Sequence, residues 1–245
     1  MYHFFVDPSL IQGQDIYIEG SDYNHIKNVL RMKQGEVISV GDGLTDKEYR
    51  CHIEDFTDTH VHCRLDFIKD SGVELPVKVT LFQGLPKSDK MELIIQKCVE
   101  LGVAEVVPVA CSRSIVKLDA KKEKSKIARW NGISEAAAKQ SKRAVIPEVK
   151  GVMSYKEAID YAKSLDVNLI PYELAEGFDK TRELISGIKS GQSVGIFIGP
   201  EGGFSEEEVE LAREAGAEPI TLGRRILRTE TAAMVVLSWL IYIYE

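Results

Sequence analysis

The last fifty residues, from Val194 to the end of a helical pattern near residue 244, constrain the fold more than any other part of the chain. Two short apolar runs, VGIFIG and EPITLG, end in glycine at Gly199 and Gly223. Each run is followed by an unusual loop and then by a helical pattern. A strand that stops at glycine lets a ligand approach the bare backbone at the carboxyl end of a sheet. Two such ends so close in sequence predict one small molecule bound between them.

The same segment resembles a known family. IGPEGGFS, followed by LGRRILRTETAA, is similar to the motif pair of the RsmE family, uracil-N3 methyltransferases of small-subunit ribosomal RNA. Three earlier segments fit that family's pattern in the same order: KSDKMELIIQKCVELGV at 87–103, SRS at 112–114 and EAAAKQSKRAVIP at 135–147. The resemblance covers nearly the whole chain. It implies the SPOUT superfamily, whose members knot the C-terminal chain around S-adenosylmethionine.

Hydrophobic patterning divides the chain into two predicted domains. Residues 1–72 contain short alternating strands and one short helix with Ser21 at its N-cap, which predicts a small β-barrel. The resemblance implies that this barrel is a PUA-like RNA-binding domain. In residues 73–245 strands alternate with helices, predicted at 88–101, 120–142, 154–164, 179–187, 205–215 and 229–244. This alternation predicts an α/β domain with a mainly parallel sheet covered by helices, and the resemblance implies a C-terminal trefoil knot.

Charge is distributed unevenly along the chain. The whole chain carries a net charge of −7, yet residues 112–143 contain ten Lys or Arg and three Asp or Glu, a local charge of +7. A concentrated basic face on an acidic protein can contact RNA while the remainder keeps the molecule soluble. A lysine-rich solvated helix face is the equally open alternative.

Composition favours a cytoplasmic protein. The four cysteines are scattered and form no CxxC pair, which fits a reducing compartment. The N-terminus, MYHFFVDPS, has no secretion pattern, and the apolar run 232–244 is shorter than a membrane span. The cluster around Cys51-His52 and His62-Cys63 suggests zinc, but neighbours in a strand point to opposite faces, so no metal site is expected.

Three strand ends are predicted to form the S-adenosylmethionine pocket. Apolar side chains at Ile198, Leu222, Ile226 and Leu227 would enclose the adenine, and Glu173 would bind the ribose hydroxyls. No GxGxxG follows the first strand of an alternating unit and the sequence has no GxxxxGK[ST], so neither a dinucleotide site nor a P-loop is predicted. The predicted cofactor-binding residues are Tyr172, Glu173, Ile198, Gly199, Pro200, Glu201, Gly202, Leu222, Gly223, Ile226, Leu227, Arg228 and Thr231.

The chemistry at uracil N3 requires loss of a proton and stabilisation of charge on O2 and O4. Arg228, in the loop before the last helix, is the first candidate for charge stabilisation. Glu201 is the predicted proton acceptor, with Glu230 as the weaker alternative because a carboxylate in a first turn stabilises a helix by itself.

RNA contacts are predicted on both domains. Arg113 and Arg143 lie in predicted loops of the second domain, and Lys87 and Lys90 flank a strand-to-helix turn that suits phosphate. Gln140 is predicted to contact a base edge. In the barrel, Arg31 matches the family's RNA-facing arginine, whereas His3 stands where the family usually has arginine, so that contact is not carried over.

The last helix, TAAMVVLSWLIYIY, is apolar nearly all the way round. Such a helix must be covered on several sides, which predicts a homodimer through this helix with Trp239 and Tyr242 as anchors. The alternative is a core helix buried within one subunit. SPOUT relatives are homodimers, which favours the first interpretation.

The sequence therefore predicts a methyltransferase that uses S-adenosylmethionine to methylate N3 of a uridine in 16S rRNA of the small ribosomal subunit. Two other functions remain open. A sister SPOUT enzyme would modify another RNA or a ribose hydroxyl, and a non-catalytic module would bind RNA without transferring a methyl group.

Overall fold

The structure, a computed structural model, describes residues 1–172 and 177–245. These residues form two compact units. The first contains Met1–Glu74 and Ala138–Ile146, and the second contains Leu75–Ala137 and Pro147–Glu245. The division at residues 72 and 73, drawn from the sequence, assigned 138–146 to the second domain. In the structure this segment packs with the first unit, where Ile146 N donates to Gly43 O at 2.9 Å.

The first unit is built on a six-stranded sheet. Its strands are β1 (His3–Phe5), β2 (Ile11–Gln12), β3 (Asp15–Glu19), β4 (Val37–Gly41), β5 (Lys47–Phe56) and β6 (His60–Asp70). Their order is β1-β4-β5-β6-β3-β2, and only the β1–β4 pair is parallel. The predicted small, PUA-like β-barrel is confirmed as a PUA-like domain with a curled sheet.

Alternation along these strands builds the core of the first unit. Ile16 and Ile18 on β3, with Cys51 and Ile53 on β5, are fully buried. The intervening polar residues lie on the outer face, where His52 Nδ1 is 2.7 Å from an Asp66 carboxylate oxygen. The strand period of two therefore separates each cysteine from its neighbouring histidine.

The short helix of the first unit differs from the prediction. Helix α1 (Gly20–Asn24) begins one residue before Ser21, and a π-helical stretch (His25–Leu30) continues it. Gly20 has φ +64°, which lets β3 turn directly into the helix, so Ser21 is not an N-cap. The π-helical stretch ends at Arg31, whose φ is +53°.

The second unit is a parallel sheet with helices. The strands are β7 (Lys78–Gly84), β8 (Glu105–Ala110), β9 (Glu148–Val149), β10 (Met153–Ser154), β11 (Val167–Pro171), β12 (Ser193–Ile198) and β13 (Ala217–Ile220). Their order is β10-β8-β7-β12-β11-β13, with β9 on β8, and every pair is parallel. Strands β7 and β12 are almost wholly buried, as continuous apolar runs in a covered parallel sheet should be.

The predicted helices of the second unit are confirmed within a few residues. They are α2 (Lys90–Glu100), α3 (Ala120–Ser141), α4 (Tyr155–Ala162), α5 (Phe178–Gly187), α6 (Glu206–Glu214) and α7 (Thr229–Tyr244). Ser205 and Glu208 form the predicted capping box at α6, and Gly216 follows its C-cap with φ +91°. Among residues 1–172 and 177–245, no helix is long and apolar enough to cross a membrane.

Candidate cofactor and RNA site

The carboxyl ends of β11, β12 and β13 lie side by side. Leu169 on β11 pairs with Ile196 on β12, and Pro171 pairs with Ile220 on β13. Beyond β11, Tyr172 N donates to Ile220 O at 3.0 Å. The predicted convergence of three strand ends is therefore present, although Glu173 lies outside the described residues.

The loop that follows β12 (residues 199–205, the β12 loop) folds back on itself. Gly203 N donates to Pro200 O at 2.9 Å. A Cβ on Gly199 would lie 3.0 Å from the carbonyl carbon of Gly203, so glycine permits this approach of backbone to backbone. The result is a compact loop with little side-chain cover over its main chain.

Strand β7 meets the same loop at its own terminal glycine. A Cβ on Gly84 would lie 2.6 Å from Pro200 Cδ and 2.7 Å from Pro200 N. Only a residue without a side chain allows this contact. Gly84 was not predicted as a site residue, although LFQG ends in glycine in the same manner as the two strands that were.

A buried hydrogen-bond relay connects β7, the β12 loop and α7. The Gln83 side chain is fully buried, and its Nε2 donates to Thr229 Oγ1 at 2.8 Å. Thr229 Oγ1 in turn donates to Gly199 O at 2.7 Å. Neither Gln83 nor Thr229 is among the predicted site residues; the one signal in the sequence is a glutamine inside an otherwise apolar strand.

Charged side chains gather where the β12 loop meets the first turns of α2 and α7. Glu201 accepts from Lys87 N at 3.1 Å and lies 2.9 Å from Lys90 Nζ. Lys90 Nζ also lies 3.7 Å from Glu230 Oε2, an atom that is buried and has no hydrogen-bond partner among the described residues.

The ionisation of this cluster follows from its contacts. Burial opposes ionisation of Glu201, but the bonds from Lys90 and from backbone N–H groups together hold its pKa below the ordinary value. The hydrogen bond to Glu201 raises the pKa of Lys90, Glu230 adds to this, and the nearby Arg228 opposes it. Glu201 is thus a paired carboxylate, which weakens its predicted role as a proton acceptor.

The loop between β13 and α7 (residues 221–228, the β13 loop) is open. Gly223 has φ +106°, and Ile226 is 88% exposed. Leu222 and Leu227 are half-buried, whereas Ile198 at the end of β12 is buried. Arg228 is exposed at the N-cap of α7, and Thr231 is exposed in its first turn.

The loop that follows β8 (residues 111–118, the β8 loop) contacts the β12 loop. Arg113 donates to Gly202 O at 3.0 Å and remains exposed. Ser112 N donates to Glu208 Oε1 at 2.7 Å, on the first turn of α6. Arg113 therefore lies beside the predicted cofactor loop and retains solvent access for a phosphate.

The predicted RNA-binding residues of the first unit have different environments. Arg31 and Gln140 are exposed. Arg143 is only 4% exposed, and its Nε donates to Glu74 Oε2 at 3.1 Å. The predicted contact of Arg143 with RNA is therefore corrected, because a guanidinium buried in an ion pair cannot reach a phosphate.

Other basic residues of the segment 112–143 are also paired. Arg129 Nη2 lies 2.7 Å from Glu92 Oε2, and Lys139 Nζ lies 2.9 Å from Asp22 Oδ2. The local charge of +7 is thus partly neutralised by acids from elsewhere in the chain. Within the described ranges, no group of three or more His, Cys, Asp or Glu could hold a metal ion.

Comparisons with known proteins agree with these features. An RNA methyltransferase domain model matches residues 73–241, and an RNA methyltransferase PUA domain model matches residues 18–66. These matches, together with the parallel sheet of the second unit and the curled sheet of the first, define an RNA methyltransferase with a PUA domain.

Similar proteins identify the family within the class of RNA methyltransferases. The chain is 38% identical to ribosomal RNA small subunit methyltransferase E of Bacillus subtilis, over 99% of this chain and 96% of that protein. The Mycobacterium bovis protein of the same name is 31% identical, over 96% and 89% of the respective chains. A crystal structure of the Neisseria gonorrhoeae protein of that name, bound to S-adenosyl methionine, is 30% identical with a TM-score of 0.86, covering 100% of this chain and 98% of that one. The chain belongs to the ribosomal RNA small subunit methyltransferase E family.

Proposed function

We propose that this protein transfers the methyl group of S-adenosylmethionine to N3 of a uridine in 16S rRNA of the small ribosomal subunit. The observation that carries the proposal is the convergence of three parallel strand ends on bare backbone, with an exposed arginine at the start of α7. The solved Neisseria gonorrhoeae relative, which has S-adenosyl methionine bound, supports the cofactor.

The strand ends fit such a nucleoside cofactor. Gly223 leaves exposed main chain, Gly199 allows the β12 loop to fold closely over the end of β12, and the 88% exposed Ile226 offers an apolar surface in the β13 loop. By likeness to the family, Leu222, Ile226 and Leu227 contact the adenine. Tyr172 and Thr231 lie at the edge of the pocket. Ile198, which is buried, supports the pocket at the end of β12. Glu173 stays the proposed partner of the ribose hydroxyls.

Arg228 is assigned to charge stabilisation at the base. When bound, the cofactor supplies an electrophilic methyl group, and the protein must make uridine N3 nucleophilic and align it. Loss of the N3 proton spreads negative charge onto O2 and O4. A guanidinium at the N-cap of α7 can donate to those oxygens, and the positive end of the helix dipole acts in the same direction.

Glu201 is assigned mainly to positioning. Its carboxylate joins the β12 loop to the first turn of α2 through Lys87 N and Lys90 Nζ. Among the described residues, Glu230 Oε2 is buried without a hydrogen-bond donor, and Glu230 stays the second candidate for the proton acceptor. Lys90 is shared between these carboxylates, so its phosphate-binding role is secondary, and Lys87 and Arg113 are the proposed phosphate contacts of this unit.

The C-terminal segment is proposed to form a trefoil knot. Strand β13 lies beside β11, yet α7 returns to pack on β12 and α2, and Thr229 bonds to Gly199 O. The chain after β13 must therefore pass back over the end of β12. This path brings the β12 and β13 loops to the same place, as a shared cofactor pocket requires.

A homodimer through α7 is part of the proposal. The buried side of α7, which includes Ala233, Val236 and Leu240, packs within the chain. The opposite side leaves Tyr242 88% exposed beside a groove of about 320 Å³ between α5 and α7. A second copy would cover this apolar surface, with Trp239 and Tyr242 as anchors. The proposed setting is the bacterial cytoplasm, where ribosomes are assembled.

Two measurements on the intact protein test the function. Isothermal titration with S-adenosylmethionine should give saturable binding, and small subunits from a deletion strain should gain 3-methyluridine when incubated with protein and cofactor. Nucleoside mass spectrometry identifies the product. A ribose 2′-O-methyl product would favour the sister enzyme, and absence of cofactor binding would favour the non-catalytic module.

A further inference from the structure

A cavity of about 280 Å³ lies at the carboxyl ends of β7 and β8 in the second unit. Its walls come from four places: the residue after β7, the last residue of β8, the β8 loop, and the residue before β10. The wall residues used below are Leu85, Cys111, Ser112, Ser114, Val116 and Lys117.

The walls combine apolar surface with a few polar groups. Leu85 and Val116 supply aliphatic faces, Ser112 and Ser114 supply hydroxyls, and Lys117 supplies a positive charge. The β8 loop is held in shape by a tight turn, in which Ser114 N donates to Cys111 O at 3.0 Å and Cys111 N donates to Ser114 Oγ at 3.3 Å. Apolar walls with a small number of placed polar groups are typical of a small-ligand pocket.

The cavity lies next to the proposed cofactor loops. A Cβ on Gly84 would be 3.1 Å from Cys111 Sγ on one side and 2.6 Å from Pro200 Cδ on the other. Arg113, within the β8 loop, bonds to Gly202 O. The cavity wall and the β12 loop are thus separated by the backbone of one residue.

We propose that this cavity receives the target uridine after it has been extruded from the RNA. The inference rests on the function proposed above. An enzyme that reacts at N3 of a paired base has to take that base out of its pairing and stacking, and pocket contacts have to offset the free energy that this extrusion costs. The aliphatic walls take the faces of the ring, the serine hydroxyls bond to its edge, and the Lys117 ammonium favours negative charge on its oxygens.

Cys111 acts as an inert part of the wall. Burial, with a further contribution from the Glu208 carboxylate, raises the pKa of Cys111 to about 12. The sulfur stays a neutral thiol at neutral pH and does not add covalently to the uracil ring, because the thiolate is the nucleophilic form. The cavity therefore holds the base, and reaction takes place at N3 alone.

A pair of variants at adjacent positions tests the cavity. Val116→Trp places a large ring into the cavity, whereas Ile115→Trp adds the same ring at a residue that is 69% exposed and does not line it. We expect V116W to lower kcat/KM for small subunits at least tenfold while the Kd for S-adenosylmethionine stays within twofold. I115W should match wild type in both. Equal activity of the two variants overturns the proposal.

A crosslinking experiment uses the wild-type protein, so its outcome does not depend on whether a variant folds. RNA that carries 4-thiouridine at the methylated position is irradiated on the protein, and the attached peptide is identified by mass spectrometry. Attachment within residues 110–118 supports the cavity, and attachment only elsewhere contradicts it. Wild-type binding of cofactor and formation of 3-methyluridine report separately on the proposed function, so the two inferences fail in different measurements.

Discussion

Arg228 is the residue on which the proposed chemistry most depends. Arg228→Ala should lower kcat about 100- to 1000-fold, the range seen when one donor to a developing negative charge is removed. The control is Arg224→Ala, which deletes an equally exposed arginine of the same loop. Single-turnover methylation with saturating cofactor gives the comparison. Similar losses in both variants would indicate a general effect of loop charge and contradict the assignment.

Glu201 is expected to affect stability in a pH-dependent way. Its folded-state pKa is lowered, so the stability it contributes is present above the ordinary value of 4.5 and is lost as pH falls through the folded-state pKa. Glu201→Gln should therefore reduce the free energy of unfolding at pH 7 by up to about 1 kcal/mol, since the pair with Lys90 is partly solvated.

Urea unfolding of wild type and E201Q at pH 7 and at several values below 4.5 measures this difference. It should shrink towards zero at the acidic end. A difference that is independent of pH would mean that shape, and not charge, accounts for the effect of Glu201. Retained methylation by E201Q would agree with the positioning role assigned to this carboxylate.

At the scale of elements, the contact between the end of β7 and the β12 loop is tested by glycine substitution. Gly84→Ala inserts a methyl group 2.6 Å from Pro200 Cδ, so we expect a loss of about 1–3 kcal/mol and weaker cofactor binding. Gly132→Ala in α3 meets no atom within 4 Å and should stabilise the protein by roughly 0.5–1 kcal/mol. Chemical denaturation and calorimetry measure both effects; equal behaviour of the two variants would contradict the packing argument.

The relay from Gln83 through Thr229 to Gly199 joins three elements. Thr229→Val keeps the shape of the side chain but removes one of the two acceptors of the buried Gln83 Nε2, which retains Gly84 O, and leaves Gly199 O without the Thr229 donor. The expected cost is about 1–3 kcal/mol, with a higher Kd for S-adenosylmethionine. Thr229→Ser retains the hydroxyl and should restore most of both. Wild-type stability and cofactor binding in the valine variant would contradict the relay, whereas a loss in the serine variant would measure the packing of the methyl group.

At the scale of the whole molecule, the proposed homodimer depends on the exposed side of α7. Tyr242→Asp places a charge at the centre of the proposed dimer surface and should raise the dimer Kd at least tenfold. Tyr2→Asp, at a tyrosine that is 52% exposed, is the matched control. Light scattering after size-exclusion chromatography distinguishes dimer from monomer. A wild-type monomer at high concentration would contradict the dimer itself.

The sequence alone predicted the parallel sheet, the small N-terminal barrel and the capping box at Ser205. It also predicted that strands end close to Gly199 and Gly223, although β13 ends three residues earlier than expected, at Ile220. These features depend on local periods of two and 3.6 residues and on the backbone freedom of glycine, which a linear sequence displays directly. The motif pair around Gly199 and Gly223 added the family, which the relatives confirm.

Only the tertiary structure showed which partners meet across long separations. Arg143 looks like an RNA contact in the basic segment, but Glu74, 69 residues away, buries it in an ion pair. In the sequence Glu201 is a candidate free base, but in the structure Lys90 Nζ lies 2.9 Å from its carboxylate. Gln83 is an ordinary strand residue in the sequence, but in the structure its Nε2 donates a hydrogen bond to Thr229 Oγ1. Pairing and burial depend on elements that are distant in sequence, and they change the ionisation and accessibility of a side chain without leaving a local pattern.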